Sequence, residues 1–330
     1  MTTSIVESAS NSPTNHPVSP FPALTPSERL HLEIYGYVVI ENALTSEQTE
    51  ALLDAVYTIE DDFHADGPIR ASGQTGTPWD APGAEHTTWD PTRRSHHYSG
   101  RCRQHFRVDN LPHLGAPFLD YVTHPRLVGM AEEAIGGEAR LEQSDAHIAR
   151  PPEDLDSQGY GFHRGAPRTV SYDANGLYHL PFVKTLTNLT DLGPDDGGTT
   201  VIAGTHKVDD IAIPAAIQAA LDDPTASMIH TVVAPAGSTL LFFESLVHSG
   251  GIIRSGRDRP FIVAGYTPPH FQACDGYEPA HELRGQVPDQ IWEFLDGTKG
   301  WLSAPRRRTL DQAVGTGAAP GPVCVLGQPA

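Results

Sequence analysis

Seventeen histidines are spread over this chain of 330 residues, so a single histidine says little about a metal and spacing has to decide. Two positions stand out. His163 lies in the run Phe162-His163-Arg164-Gly165, just before the strand-rich half of the chain, and His248 closes the apolar run that starts at Leu240. Neutral imidazole is the commonest metal ligand among side chains. Eleven residues after His248 comes Arg259, at the opening of the next apolar run, and a planar guanidinium can pair with a carboxylate through two parallel hydrogen bonds. Arg254 and Arg257 compete for that role, but both fall in the polar turn 253–258, where solvent is the expected neighbour. His206, in Gly204-Thr205-His206-Lys207, reads as structural, and His179, His230 and His270 have no paired spacing.

A second chemical feature is the segment 93–107, which holds five arginines in fifteen residues: Arg93, Arg94, Arg101, Arg103 and Arg107. Against a net charge of −19 this local excess is a candidate anion site. A solvated face paired with surface acids is the competing reading. Trp79, Trp89, Tyr98 and Phe106 border the segment and would suit a stacked base with a phosphate nearby.

Strands must present these side chains, and the chain supplies them after a helical preface. Pro26 followed by Ser27-Glu28-Arg29-Leu30 starts a helix, Gly36 separates it from the β-branched run Tyr37–Ile40, and Thr45 with Gln48 forms a capping box before Leu52, Leu53 and Val56. A further helix spans Leu127 to Ile135 and stops at Gly136-Gly137. Strands are then expected at 183–189, 199–202, 229–233, 238–243 and 261–266, each bounded by Gly, Pro, Asp or Asn. The pattern predicts an α+β fold, mainly β, with a closed or sandwiched β-core and helices packed outside. Residues 66–100 lack periodicity and read as a long lid-like loop. Residues 1–22 read as a disordered N-terminal segment, 23–305 as a single domain and 306–330 as a flexible tail.

Composition narrows the function classes. Gly and Pro together make about 18% of the chain, above the usual share of about 12%, which argues against a helical bundle. The acidic balance disfavours nucleic-acid polymers and anionic membrane surfaces. Nowhere is there an apolar run of about 18 residues. Cys102, Cys274 and Cys324 stand far apart without a paired motif, as fits the reducing cytoplasm, and the N-terminus shows no targeting pattern.

Several stretches together resemble the phytanoyl-CoA dioxygenase-like family of iron(II)/2-oxoglutarate enzymes, over about residues 28 to 270. Leu32 to Leu44 looks like the family's opening, and His124-Pro125 with Gly136 like its central helix. Gly197, Val201, Ile202, Gly204, His206 and Lys207 match a glycine-led loop that normally reads close to N-G-P-L-x-V-I-P-G-S-H-K. The resemblance implies a double-stranded β-helix, a jelly roll of the cupin type with flanking helices. It also implies iron(II), 2-oxoglutarate and O2, with His163 and His248 as metal ligands and Arg259 on the distal carboxylate of 2-oxoglutarate.

The family's metal motif is H-x-D followed by a distant histidine, a facial triad with open positions for cosubstrates. Residues i and i+2 of an extended segment point to one face, so the expected aspartate is Gly165, which has no side chain. One reading is a degenerate site in a non-catalytic binder. The other is that the vacant position and the missing negative charge are both supplied by chloride, the H-x-G replacement that iron/2-oxoglutarate halogenases show. Glu244, four residues before His248, and Asp173, in a polar turn near His163, are surrogate carboxylates that would restore hydroxylation. The resemblance extends to nucleotide halogenases that chlorinate the 2′ carbon of deoxyadenosine monophosphate, which makes a free anionic nucleotide the expected substrate, with Arg101, Arg103 and Arg107 as its contacts. An amino acid is the alternative.

Overall fold

The computed structural model describes residues 22–66, 86–89, 97–100, 105–152, 154, 158–165, 172–174, 177–179, 182–271 and 281–297. The segments 1–21 and 306–330, most of 66–100, and Arg101 and Arg103 lie outside the described residues.

Local rules set the opening elements. Helix α1 (Pro26–Tyr35) starts with Pro26 and a reciprocal capping box between Thr25 and Glu28, and it ends at Gly36 with φ 84°. Strand β1 (Tyr37–Ile40) follows. Helix α2 (Ser46–Asp66) is capped as expected: the Thr45 N–H donates to Gln48 Oε1 at 2.9 Å and the Gln48 N–H to Thr45 Oγ1 at 3.2 Å. Next come β2 (His86–Trp89), β3 (His97–Gly100), β4 (His105–Asp109), α3 (Ala116–Val122), α4 (Pro125–Ile135), β5 (Arg140–Ala149), β6 (Tyr172–Ala174) and β7 (Leu177–His179). The remainder is β8 (Val183–Asn188), β9 (Thr200–Ile202), α5 (Ile213–Asp222), β10 (Ile229–Thr231), β11 (Thr239–Phe243), β12 (Val247–Ser249), β13 (Arg259–Thr267) and α6 (Asp289–Asp296). No helix among the described residues is long and apolar enough to cross a membrane.

The large antiparallel sheet runs β1-β11-β8-β13-β5-β4-β3-β2, and a smaller one runs β10-β9-β12. Side-chain alternation gives the large sheet two faces. On one, Val183, Ile262, Ala264, Ala146 and Ile148 pack with Phe118, Tyr121, Leu127, Met130, Phe294 and Leu295 of the helices. On the other, Leu186, Leu240, Phe242, Phe261 and Val263 meet Val201 and Ala203 of the small sheet. Two facing antiparallel sheets with helices outside are the sandwiched β-core expected from the pattern and the cupin-like jelly roll that the resemblance implies.

Among the departures from the sequence reading, two shape the large sheet. Residues 66–100 are not loop throughout: β2 and β3 form an antiparallel ribbon, Trp89 opposite His97, that extends the sheet beyond β4. Ladder hydrogen bonds on a neighbouring strand need no alternation of side chains, so periodicity gave no sign of it. The ten-residue strand β5 was also not expected. It is central, pairing with both β13 and β4, but its sequence RLEQSDAHIA carries charges on both faces.

Glycines 197, 198 and 251 let three chain segments approach one another closely at one place. A Cβ on Gly198 would overlap the Val232 carbonyl oxygen, and one on Gly251 would overlap the Gly198 carbonyl. Because the obstructing atoms are backbone, Gly198→Ala is expected to cost about 1–3 kcal/mol or more. A thermal melt matching wild type would show that the loop relaxes freely.

Candidate functional site

His163 and His248 are brought together by backbone pairing. They form an isolated antiparallel bridge, each N–H donating to the other's carbonyl at 2.9 Å, with ring centroids 4.4 Å apart. The tautomers are set locally. Nδ1 of His163 lies 2.9 Å from its own Gly161 carbonyl, and Nδ1 of His248 lies 2.8 Å from the Leu246 carbonyl. A carbonyl only accepts, so each Nδ1 carries the proton and each Nε2 presents a lone pair, the arrangement that suits a metal-ligating pair. Burial lowers the His248 pKa to about 4; Glu244 pulls the other way, and His163 and Lys184 add to the depression. The imidazole is therefore neutral near pH 7. Thr205 fixes the strand that carries it: its Oγ1 accepts from the Val247 N–H at 2.9 Å and donates to the Ile202 carbonyl at 2.7 Å.

Gly165 sits beside this pair, its N–H donating to the Glu244 carbonyl at 2.9 Å. Among the described residues no cluster of three metal-ligating side chains exists. Glu244 is not on one strand with His248, as the four-residue spacing implied. β11 ends at Phe243 and the chain turns before β12, so alternation does not carry across, and the Glu244 carboxylate pairs with Lys184 Nζ at 3.0 Å. Asp173 falls within β6, and its side chain lies outside the described residues.

Arg259 opens β13 and is 3% exposed. Nη1 donates to the Gly197 carbonyl at 2.7 Å and Nη2 to Thr199 Oγ1 at 2.9 Å, while Nε has no partner. The guanidinium carbon stands 4.5 Å from the Phe261 ring centroid. None of these contacts is a carboxylate, and burial pulls the pKa down to about 10. A buried cation with only neutral partners is built to receive an anion. Arg254 and Arg257 are exposed, and Arg257 pairs with Asp196. His206 is structural as read: it is buried, stacks on Phe243 at 5.7 Å, and would be struck by any side chain at Gly36.

The inner face of β5 and β4 adds a polar patch that spacing did not single out. His147 stacks on Phe261 at 4.5 Å and lies 2.8 Å from the His105 ring nitrogen. Gln143 and Arg107 both bond Asp145, and Arg107 also bonds Asp109 at 2.7 Å. Thus Arg107 is already engaged by the side chains of Asp109 and Asp145. Burial, with a hydrogen bond to Asp145 and its charge, pushes Asp109 up to about 8; Asp145, although buried, is held below the usual range by Arg107 and the hydrogen bond from Asp109. The pair shares one proton. The signal in the sequence was the alternation of Gln143, Asp145 and His147 against Ser144, Ala146 and Ile148.

With this geometry in place, a family model described as phytanoyl-CoA dioxygenase (PhyH) matches residues 32–261. No curated protein matches. Solved structures do. HygX from Streptomyces hygroscopicus, with nickel and 2-oxoglutarate bound, is similar at 18% identity and TM-score 0.53, covering 76% of this chain and 89% of that one. AviO1 from Streptomyces viridochromogenes Tue57 is similar at 18% identity and TM-score 0.55, covering 75% and 96%. SnoK, a non-haem α-ketoglutarate-dependent carbocyclase from nogalamycin biosynthesis, is similar at 18% and TM-score 0.52, covering 81% and 93%.

Two outcomes follow from the charges. Arg259→Lys keeps the cation but loses the fork, so 2-oxoglutarate affinity should fall by about 1.5–3 kcal/mol, the scale of a charge-assisted hydrogen bond. Unchanged affinity by titration calorimetry would move the role elsewhere. Between about pH 4 and pH 8 the folded state keeps on Asp109 a proton that the unfolded chain gives up, so this group's contribution to stability declines as pH rises through that window. Asp109→Asn keeps a hydrogen-bond donor without titrating. Its melting temperature should gain on wild type between pH 5 and pH 9, at about 2–4 °C per kcal/mol; parallel pH curves would contradict the shared proton.

Proposed function

The chain belongs to the phytanoyl-CoA dioxygenase family, an iron/2-oxoglutarate-dependent oxidoreductase by that membership, and we propose that it is a halogenase. The observation that carries this reading is Gly165. Two residues after His163, where the family's motif has an aspartate, this chain has no side chain, and no third ligand stands near the two histidines among the described residues.

The donor set fits the implied groups. His163 and His248 present unprotonated Nε2 atoms for iron, and the neutral-partnered guanidinium of Arg259 fits the distal carboxylate of 2-oxoglutarate. Iron(II) with 2-oxoglutarate and O2 supplies the oxidising power to take a hydrogen atom from an unactivated carbon. The protein's part is positional. Gly165 leaves both the space and the unbalanced charge for a chloride ion, and Phe242, Phe261 and Leu246 line the inner face with buried apolar surface. The alternative, a hydroxylase with Glu244 as surrogate ligand, is disfavoured by the Lys184 pair that already engages that carboxylate.

The substrate we propose is a free small molecule of natural-product biosynthesis, with a nucleotide such as 2′-deoxyadenosine monophosphate, attacked at the 2′ carbon, as the specific candidate. HygX, similar in fold, has been solved with nickel, 2-oxoglutarate and hygromycin B, which supports a free molecule. Since Arg107 is engaged by Asp109 and Asp145, phosphate recognition would rest on Arg101 and Arg103.

Chloride should strengthen 2-oxoglutarate binding to the iron-loaded wild type under anaerobic conditions. It should have no such effect on Gly165→Asp, whose carboxylate fills the same position. With deoxyadenosine monophosphate and air, the wild type should yield product heavier by one chlorine for hydrogen exchange, and Gly165→Asp none. Binding and product that are indifferent to chloride in the wild type would make the enzyme a hydroxylase.

A further inference from the structure

Two buried polar side chains on the inner face of the large sheet have no partner. Asn188, the last residue of β8, is 1% exposed, and neither Oδ1 nor Nδ2 makes a hydrogen bond. Ser238 is fully buried, and its Oγ is equally bare. The two are neighbours: the Asn188 N–H donates to the Ser238 carbonyl at 3.0 Å. One residue away, on the outer face of the same two strands, Thr187 and Thr239 bond each other at 2.6 Å, and the Tyr121 hydroxyl bonds Thr187 at 2.9 Å. The same strand pair thus satisfies its outward hydroxyls and leaves its inward polar groups open.

The position of the open groups is specific. Asn188 lies opposite Phe261 in the β8–β13 register, two residues from Arg259, whose Nε is likewise without a partner. Since β11, β8 and β13 are adjacent, Ser238, Asn188 and Arg259 converge at one end of the sandwich. An amide buried with both atoms unpaired is destabilising, and in native proteins such a group calls for an explanation. A leucine would fill that volume at no such cost. A carboxylate offers about four lone-pair sites and a guanidinium fork uses two, leaving acceptors for neutral donors alongside.

We propose that Asn188 Nδ2, with the Ser238 hydroxyl beside it, donates to the same distal carboxylate of 2-oxoglutarate that Arg259 holds, making Asn188 a cosubstrate-binding residue. This rests on the cofactor reading above. It explains why the site has one buried cation and two neutral donors: the arginine balances the charge, and the amide and hydroxyl complete the hydrogen bonds without adding a second charge to desolvate.

The test is calorimetric titration of the full-length, manganese(II)-loaded protein with 2-oxoglutarate, for wild type, Asn188→Leu and Asn188→Asp, with manganese affinity and thermal midpoint measured alongside. Asn188→Leu should weaken 2-oxoglutarate binding about tenfold, leave manganese affinity unchanged, and melt no lower than wild type because an unpaired buried amide has gone. Asn188→Asp, closer in shape, should bind 2-oxoglutarate more weakly still, since it sets a carboxylate against a carboxylate. A purely structural asparagine gives the reverse order, with Asp tolerated and Leu damaging. That order, or wild-type affinity in either variant, overturns the proposal. If the wild type itself does not bind 2-oxoglutarate, the cofactor reading fails first, and the role of Asn188 falls with it.

Discussion

Much of this architecture follows from keeping one positive charge out of water. Arg259 is buried at the start of β13 with no carboxylate near enough to bond it; a carbonyl, a hydroxyl and an aromatic face are its neighbours. Burying a cation that way is costly and survives only where the surroundings are fixed in place. The fixing comes from backbone. Gly197 supplies the carbonyl, and it reaches the guanidinium because Gly197, Gly198 and Gly251 let three chain segments approach more closely than any side chain would permit. The apolar residues between the sheets, Phe261 and Val263 among them, then seal the charge from solvent.

The histidine pair depends on the same closure. β12 is only three residues long, held by β9 on one side and by the bridge to His163 on the other. Both histidines donate from Nδ1 to the carbonyl two residues earlier, so each orients its own ring with its own strand. Little else is needed to point two lone pairs outward. The environment of His248 is dry enough to keep it neutral, while the carboxylate that could have competed as a ligand is tied to Lys184. Charge is thus distributed in closed local accounts: Lys184 with Glu244, Arg107 with Asp109 and Asp145, Arg257 with Asp196. Arg259 stands apart from them, with neutral partners only.

What could be read without coordinates was governed by neighbours in sequence. Thr25 and Thr45 announced their helices because a capping box spans three residues. The runs 183–189 and 238–243 announced strands by their β-branched, Leu and Phe residues between turn-forming neighbours. His163, Gly165, His248 and Arg259 stood out by spacing and by likeness to a motif, and Gly165 by the absence of the expected side chain. By contrast β5 was hidden by its own charges, and β2 and β3 by their lack of alternation.

The sequence by itself determined the helix caps, the strand-rich second half and the residue types able to hold a metal and a carboxylate, since these depend on local backbone preference and side-chain chemistry. Only the tertiary structure decided which residues meet. The bridge of His163 to His248 spans 85 positions of sequence, and the pairing of β5 with β13 spans more than a hundred. It also decided that Glu244 goes to Lys184, that Arg107 is already paired, and that Asn188 and Ser238 face inward without partners. The reason is physical: antiparallel register and burial are set by strands distant in sequence, and a side chain's charge state and free hydrogen-bonding capacity depend on which of those strands lies beside it.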